Sequence, residues 1–161
     1  LHTRTHIDAP LHNIENGDTI DNLDLNRVVT NCKVFDMTGI KDKITENDLS
    51  KLDISEGDFV IFKTKNSYTE LFDSRFVYVD KDGARYLSDK GIIGVGIDSL
   101  GIEREQPGRE THRILLGKGV VILEGLRLKG VEPGKYLLCA VPLKIRGGEA
   151  SPVRALLIET Q

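Results

Sequence analysis

At 161 residues, with 39% apolar and 29% charged side chains, the chain is long enough to bury a core and too apolar to be disordered by default. A formal charge of −3, with no Lys/Arg cluster and no interleaving of basic and aromatic residues, excludes the electrostatic footprint of a nucleic-acid binder. No apolar run approaches the roughly 20 residues that a membrane-spanning helix needs, so a cytoplasmic protein without a membrane partner is expected.

The chain opens on the run HTRTHIDAPLH, which holds three of its four histidines. It begins Leu-His with no Met, and a leading segment is expected before it, because first residues fray and a ligand at position 2 needs upstream structure to hold it. Pro10 argues against a continuing helix, so this segment reads as extended or irregular. In an extended chain the period of two places His2, His6 and Asp8 on one face.

Further along, RVVTNCKVF over Arg27–Phe35 and the run Phe59–Thr64 are β-branched and apolar and read as strands. Between them Thr45, with Asp48 three residues on, makes a start of the capping-box kind for a short helix through Leu52. A short apolar stretch at Phe76–Val79 precedes a helical pattern over Asp80–Lys90 that Gly91 ends, and a strand at Ile92–Ile97 follows. A helix from about Thr111 to Lys118 then leads into a strand at Val120–Leu126. Two strand-like runs, Tyr136–Ile145 and Val153–Ile158, flank the Gly147-Gly148 turn and suggest a closing hairpin. Strands alternating with short helices predict a single α/β domain with a mixed sheet, parallel where helices cross over. Cys32 and Cys139 fit no metal or redox spacing and read as small buried residues without a disulfide.

Two anomalies carry chemistry. The opening run clusters imidazoles and a carboxylate at ligand spacing, the donor set of zinc and other borderline divalent metals, and one such carboxylate can bridge two ions. Downstream, His112 stands twelve residues before Glu124, which sits at the end of the apolar run Val120-Val121-Ile122-Leu123, where an uncompensated carboxylate would be costly. Both point to one metal centre. Glu103 and Asp98 read either as partners for a ligand imidazole or as ordinary turn and surface charges. The run Gly94-Val-Gly96-Ile-Asp98-Ser99 is a poor dinucleotide loop, since Ser99 stands where the third glycine belongs.

The run HTRTHIDAPLH resembles the H-x-G-T-H-x-D-x-P-x-H signature of the cyclase family of metal-dependent hydrolases, which includes bacterial kynurenine formamidase. FKTKNS at Phe62–Ser67, GARYLSDKGIIGVGIDSLGIE at Gly83–Glu103 and HRILLGKGVVILEGL at His112–Leu126 are similar to the family's later blocks, so the resemblance covers most of the chain. It implies a swivelling β/β/α fold and two divalent metal ions, zinc or manganese. They would be held by His2, His6 and Asp8 on one side and by Asp8, His112 and Glu124 on the other. It makes His12 the catalytic acid/base rather than a ligand. Thr64 and Ser67 are expected to line the pocket. The reaction implied is hydrolysis of an amide-type C–N bond, with N-formyl-L-kynurenine and water giving L-kynurenine and formate in tryptophan catabolism. Two ions about 3.5–4 Å apart would lower the pKa of a shared water from 15.7 towards about 7. A homodimer or homotetramer acting on a small molecule is expected.

One position departs from the signature: its glycine is Arg4 here. An extended backbone would put this cation on the ligands' face, where it would repel metal or favour an anionic substrate group; turned outward, it would leave the site intact. Rival readings are isatin hydrolase-like or cyclase activity, or a metal-binding scaffold impaired by Arg4.

Overall fold

The computed structural model describes residues 2, 4–69 and 74–159. Among them ten strands form one eight-stranded sheet and one small two-stranded sheet, with three α-helices. In chain order the strands are β1 (His6–Asp8), β2 (Val29–Asp36), β3 (Lys43–Ile44), β4 (Phe59–Lys63), β5 (Tyr78–Val79), β6 (Gly94–Ile97), β7 (Val121–Glu124), β8 (Gly134–Cys139), β9 (Ala150–Pro152) and β10 (Leu156–Ile158). The helices are α1 (Glu46–Leu49), α2 (Lys81–Asp89) and α3 (Glu110–Gly117). No helix of the described residues is long and apolar enough to cross a membrane.

The large sheet runs in the order β10-β8-β2-β4-β6-β7-β1-β9. Its centre, β2-β4-β6-β7, is parallel, as helical crossovers require, and its flanks are antiparallel. The central strands β4, β6 and β7 are buried along their whole length, which explains their unbroken apolar sequence. One face packs under α1, α2 and α3 around Ile44, Leu49, Leu87 and Leu115; the other collects Ile7, Phe59, Ile61, Leu123 and Leu138.

Local signals hold where the chemistry is strong. Thr45 donates to Asp48 Oδ2 from its backbone nitrogen (2.9 Å) and its hydroxyl (2.6 Å), and Asp80 caps α2 by accepting from Gly83 N at 2.9 Å. Helix α1 ends at Leu49 with Ser50 as its C-cap, short of Leu52, which still packs half-buried against the same core. The tail departs from a simple hairpin. The strands β8 and β10 are antiparallel neighbours, but the chain between them crosses to the far end of the sheet, where β9 pairs with β1. Strands at opposite ends of the sheet are thus joined by residues 153–155 alone, and the sheet must curl to permit it.

The glycines of the imperfect dinucleotide loop serve packing. Gly94 lies on β6 under the Phe59 ring, where a Cβ would stand 2.2 Å from a ring carbon. Cys32 is buried and Cys139 half-buried, and both are free thiols. Burial pushes the Cys32 thiol up to about 12.

Gly94→Ala is expected to cost about 1–3 kcal/mol in urea unfolding, with part recovered in the Gly94→Ala/Phe59→Leu double variant. Cys32 is expected to resist iodoacetamide at pH 8 in the folded protein, because its thiol stays protonated there; peptide mapping of the alkylated protein reads this out.

Candidate metal centre

The site is assembled by strand register. The strand β1 lies between β7 and β9, with His6 directly across from Glu124 and Asp8 across from Ile122. Two residues apart on one strand, His6 and Asp8 share a face, and the antiparallel pairing delivers Glu124 to that face from 118 positions away. Helix α3 brings His112 from above on its first turn. After β1, Pro10–His12 forms a 3₁₀ turn that folds His12 back beside His2, with the two rings stacked at 4.2 Å between centroids.

The polar atoms converge. His2 Nδ1 stands 3.0 Å from His6 Nε2 and 3.1 Å from Asp8 Oδ1. His6 Nε2 lies 3.4 Å from Asp8 Oδ1 and 3.1 Å from Glu124 Oε2, while His112 Nε2 lies 3.4 Å from Asp8 Oδ2 and 3.2 Å from Glu124 Oε1. Each of the two carboxylates therefore spans His6 and His112. All four side chains are buried.

The outward nitrogens are held elsewhere, which fixes how the rings face. His6 Nδ1 donates to the Arg4 carbonyl at 2.5 Å, and His112 Nδ1 donates to Glu103 Oε1. The other Glu103 oxygen accepts from Thr111 N at 3.0 Å, so this carboxylate caps α3 and orients His112 at once. His12 Nδ1 donates to Glu149 Oε2 at 3.2 Å, and Arg109 Nη1 donates to His12 Nε2 at 3.3 Å.

Burial works against charge on His6, yet Asp8 and Glu124 overcome it and raise the imidazole to about 10; Asp8, Glu103 and Glu124 likewise raise His112 to about 11 against burial. Burial favours the neutral forms of Asp8 and Glu124, but the surrounding imidazoles hold both carboxyls below their ordinary range.

The residues fit a divalent metal. Neither oxygen of Asp8 receives a hydrogen bond of good geometry, although its side chain is fully buried, and His2 Nε2 is also buried without a hydrogen bond, with Glu149 Oε1 3.6 Å away. An ionised carboxylate so placed calls for a cation, and the mixed imidazole and carboxylate donors suit a borderline divalent ion. His2, His6, Asp8 and Glu124 each offer a ligand atom within 4.8 Å of the others, as do Asp8, His12 and His112.

A family model, "Putative cyclase", matches residues 1–104. The chain is 36% identical over 159 residues to the kynurenine formamidase of Salinibacter ruber, covering 97% of this chain and 75% of that protein. The chain belongs to the cyclase family. Among solved structures, a potential metal-dependent hydrolase with cyclase activity superposes at TM-score 0.95 with 56% identity, covering 97% of this chain and 78% of the other. Isatin hydrolase A from Labrenzia aggregata, bound to benzyl benzoate, superposes at 0.84 with 26% identity, covering 97% of this chain and 72% of the other.

The cyclase fold thus brings together His2, His6, Asp8, His12, His112 and Glu124, all read from sequence. Thr64 and Ser67 do not line the site: both are buried donors to Asp98, at 2.7 and 2.6 Å from their hydroxyls, and Asp98 itself makes no hydrogen bond to the clustered imidazoles. Burial raises Asp98 despite these donors. Arg4 is exposed, and the chain bends at Arg4 and Thr5 before β1. The glycine that permits the close backbone approach is Gly125, at φ +69°, where a Cβ would stand 2.7 Å from the Arg4 carbonyl. Sequence reading missed Glu149 and Arg109. Glu149 is placed by the pairing of β9 with β1 and by its carbonyl accepting from Ala9 N, a long-range contact without a local signal.

Arg4→Gly is expected to leave the amount of zinc bound per chain unchanged in elemental analysis, because Arg4 supplies only its carbonyl to the cluster. Glu103→Gln is expected to weaken zinc binding about 10- to 100-fold in competition with a chromophoric chelator, with the circular-dichroism spectrum retained.

Proposed function

We propose that this chain is a metal-dependent hydrolase that cleaves an amide-type C–N bond, with N-formyl-L-kynurenine as the favoured substrate. The observation that carries the reading is the fully buried carboxylate of Asp8, which receives no hydrogen bond of good geometry although the imidazoles of His2, His6 and His112 converge on it, with His12 alongside. The kinship with a kynurenine formamidase over 97% of the chain supports the choice of substrate.

In this reading His2, His6, Asp8, His112 and Glu124 hold the metal, zinc or manganese, in one or two ions. Bound there, a divalent ion polarises a carbonyl and lowers the pKa of water. The protein's own contribution to proton transfer is His12. With Nδ1–H engaged by Glu149, the lone pair sits on Nε2, where Arg109 Nη1 donates to it; once that contact is released, this nitrogen takes a proton from the attacking water and passes it to the leaving amine nitrogen. Water adds to the formyl carbon, the C–N bond breaks, and formate and the amine leave. No serine or cysteine acts covalently. His12 is 13% exposed on its side chain, open enough to meet a substrate and shielded enough to keep its hydrogen bonds. A homo-oligomer belongs to the same reading, and the exposed Leu156 and Ile158 on edge strand β10 offer surface for it.

The similarity to an isatin hydrolase favours a second reading, hydrolytic opening of a cyclic amide by the same residues.

The zinc- or manganese-loaded protein is expected to release kynurenine from N-formyl-L-kynurenine, followed by absorbance. His12→Ala is expected to lower kcat about 10²- to 10⁴-fold with metal content retained. Turnover of isatin alone would select the second reading; metal binding without turnover of any aryl amide or lactam would refute both.

A further inference from the structure

Arg109 is one of three non-glycine residues with positive φ among those described, at φ 50° and ψ 45°, in the left-handed region that costs an ordinary side chain energy. It occupies the N-cap of α3, where Ser, Thr, Asp or Asn would satisfy the helix, and its side chain caps nothing. Strain at such a position persists when the surrounding fold requires the side chain where it is. The guanidinium reaches His12 Nε2 at 3.3 Å and Asn13 Oδ1 at 3.4 Å. Both acceptors are neutral or weakly basic. Among the described residues neither Glu149, which engages His12, nor the adjacent Glu110 comes within ion-pair distance of Arg109. Beside it, the Asn13 amide that accepts from Arg109 leaves its own Nδ2 buried and without a hydrogen-bond partner.

An exposed guanidinium without a carboxylate partner, next to an unused amide donor and in contact with the proton-transfer nitrogen, is a fork waiting for a planar anion. We infer that Arg109, with Asn13 Nδ2, anchors a carboxylate carried by the substrate, making Arg109 the specificity-determining residue of the site. The inference rests on the hydrolase reading above. A carboxylate bonds a guanidinium more strongly than a neutral imidazole does, so an anionic substrate draws Arg109 away from His12 Nε2 and leaves that nitrogen free to accept a proton.

The test compares wild type with Arg109→Ala, Arg109→Lys and Arg109→Gly, each loaded with zinc, on 2-formamidobenzoate and on uncharged formanilide. Thermal unfolding and calorimetric binding of anthranilate, the anionic product, are measured on the same proteins. Arg109→Ala is expected to lose at least tenfold more kcat/KM on the anion than on formanilide, chiefly through KM, and to bind anthranilate at least tenfold more weakly; Arg109→Lys recovers part of both. Arg109→Gly, which relieves the left-handed strain, is expected to unfold at a higher temperature while showing the same loss of anion preference. Equal losses on the two substrates, as a residue serving only His12 would give, overturn the inference. So does anthranilate binding that is absent from wild type or undiminished in Arg109→Ala. If wild type turns over neither of these amides nor N-formyl-L-kynurenine or isatin, the hydrolase reading fails on that result, while anthranilate binding alone still decides for or against Arg109.

Discussion

The pairing of β1 against β7 is the contact on which the site depends. Three residues of a short strand put His6 across from Glu124, and the alternation of side chains then sends Asp8 to the same face while Ile7, between them, enters the core. A slip of one residue would turn His6 and Asp8 into the apolar layer and Ile7 into the polar cluster. The neighbours β9 and β7 bury β1 from both sides, so register is enforced by hydrogen bonds on two edges and by the core beneath.

Electrostatics at the centre follow from that geometry. Asp8 and Glu124 are brought together in a buried space where two negative charges repel, and the imidazoles of His6 and His112 compensate them by taking up protons that burial alone would refuse. A metal ion would replace those protons with a charge better matched to the carboxylates, so metal uptake and proton release are linked. The outer hydrogen bonds, from His6 to the Arg4 carbonyl and from His112 to Glu103, keep each ring turned inward and are made by atoms that never touch the centre.

Much of this was legible in the sequence, and the limits have physical causes. Capping at Thr45, the apolar runs of the parallel strands and the histidine-rich opening are local signals, and the structure places elements where they point. Glu124 announced itself by standing at the end of an apolar run. Glu103 was ambiguous, because a carboxylate nine residues before His112 is indistinguishable from a surface charge until the turn before α3 is known to carry it onto the imidazole. Thr64 and Ser67 pointed to a pocket, whereas their hydroxyls turn inward to Asp98. Glu149 and Arg109 left no trace: one is delivered by sheet pairing across most of the chain, the other by a backbone conformation that its residue type disfavours.

The curl of the sheet, which leaves β9 and β10 at opposite ends yet only three residues apart, has a consequence for how the protein comes to be folded. The signature segment is compact in sequence, but its strand has no partner nearby in the chain: β7 begins at Val121 and β9 at Ala150. During synthesis the parallel centre, with its helical crossovers, has its neighbours available well before β1 does. His6 and Asp8 must wait for their pairing partners until β7 and β9 have been made. The residues densest in chemistry are in this sense late to acquire a structure, and the centre closes only when β7 and β9 have reached β1.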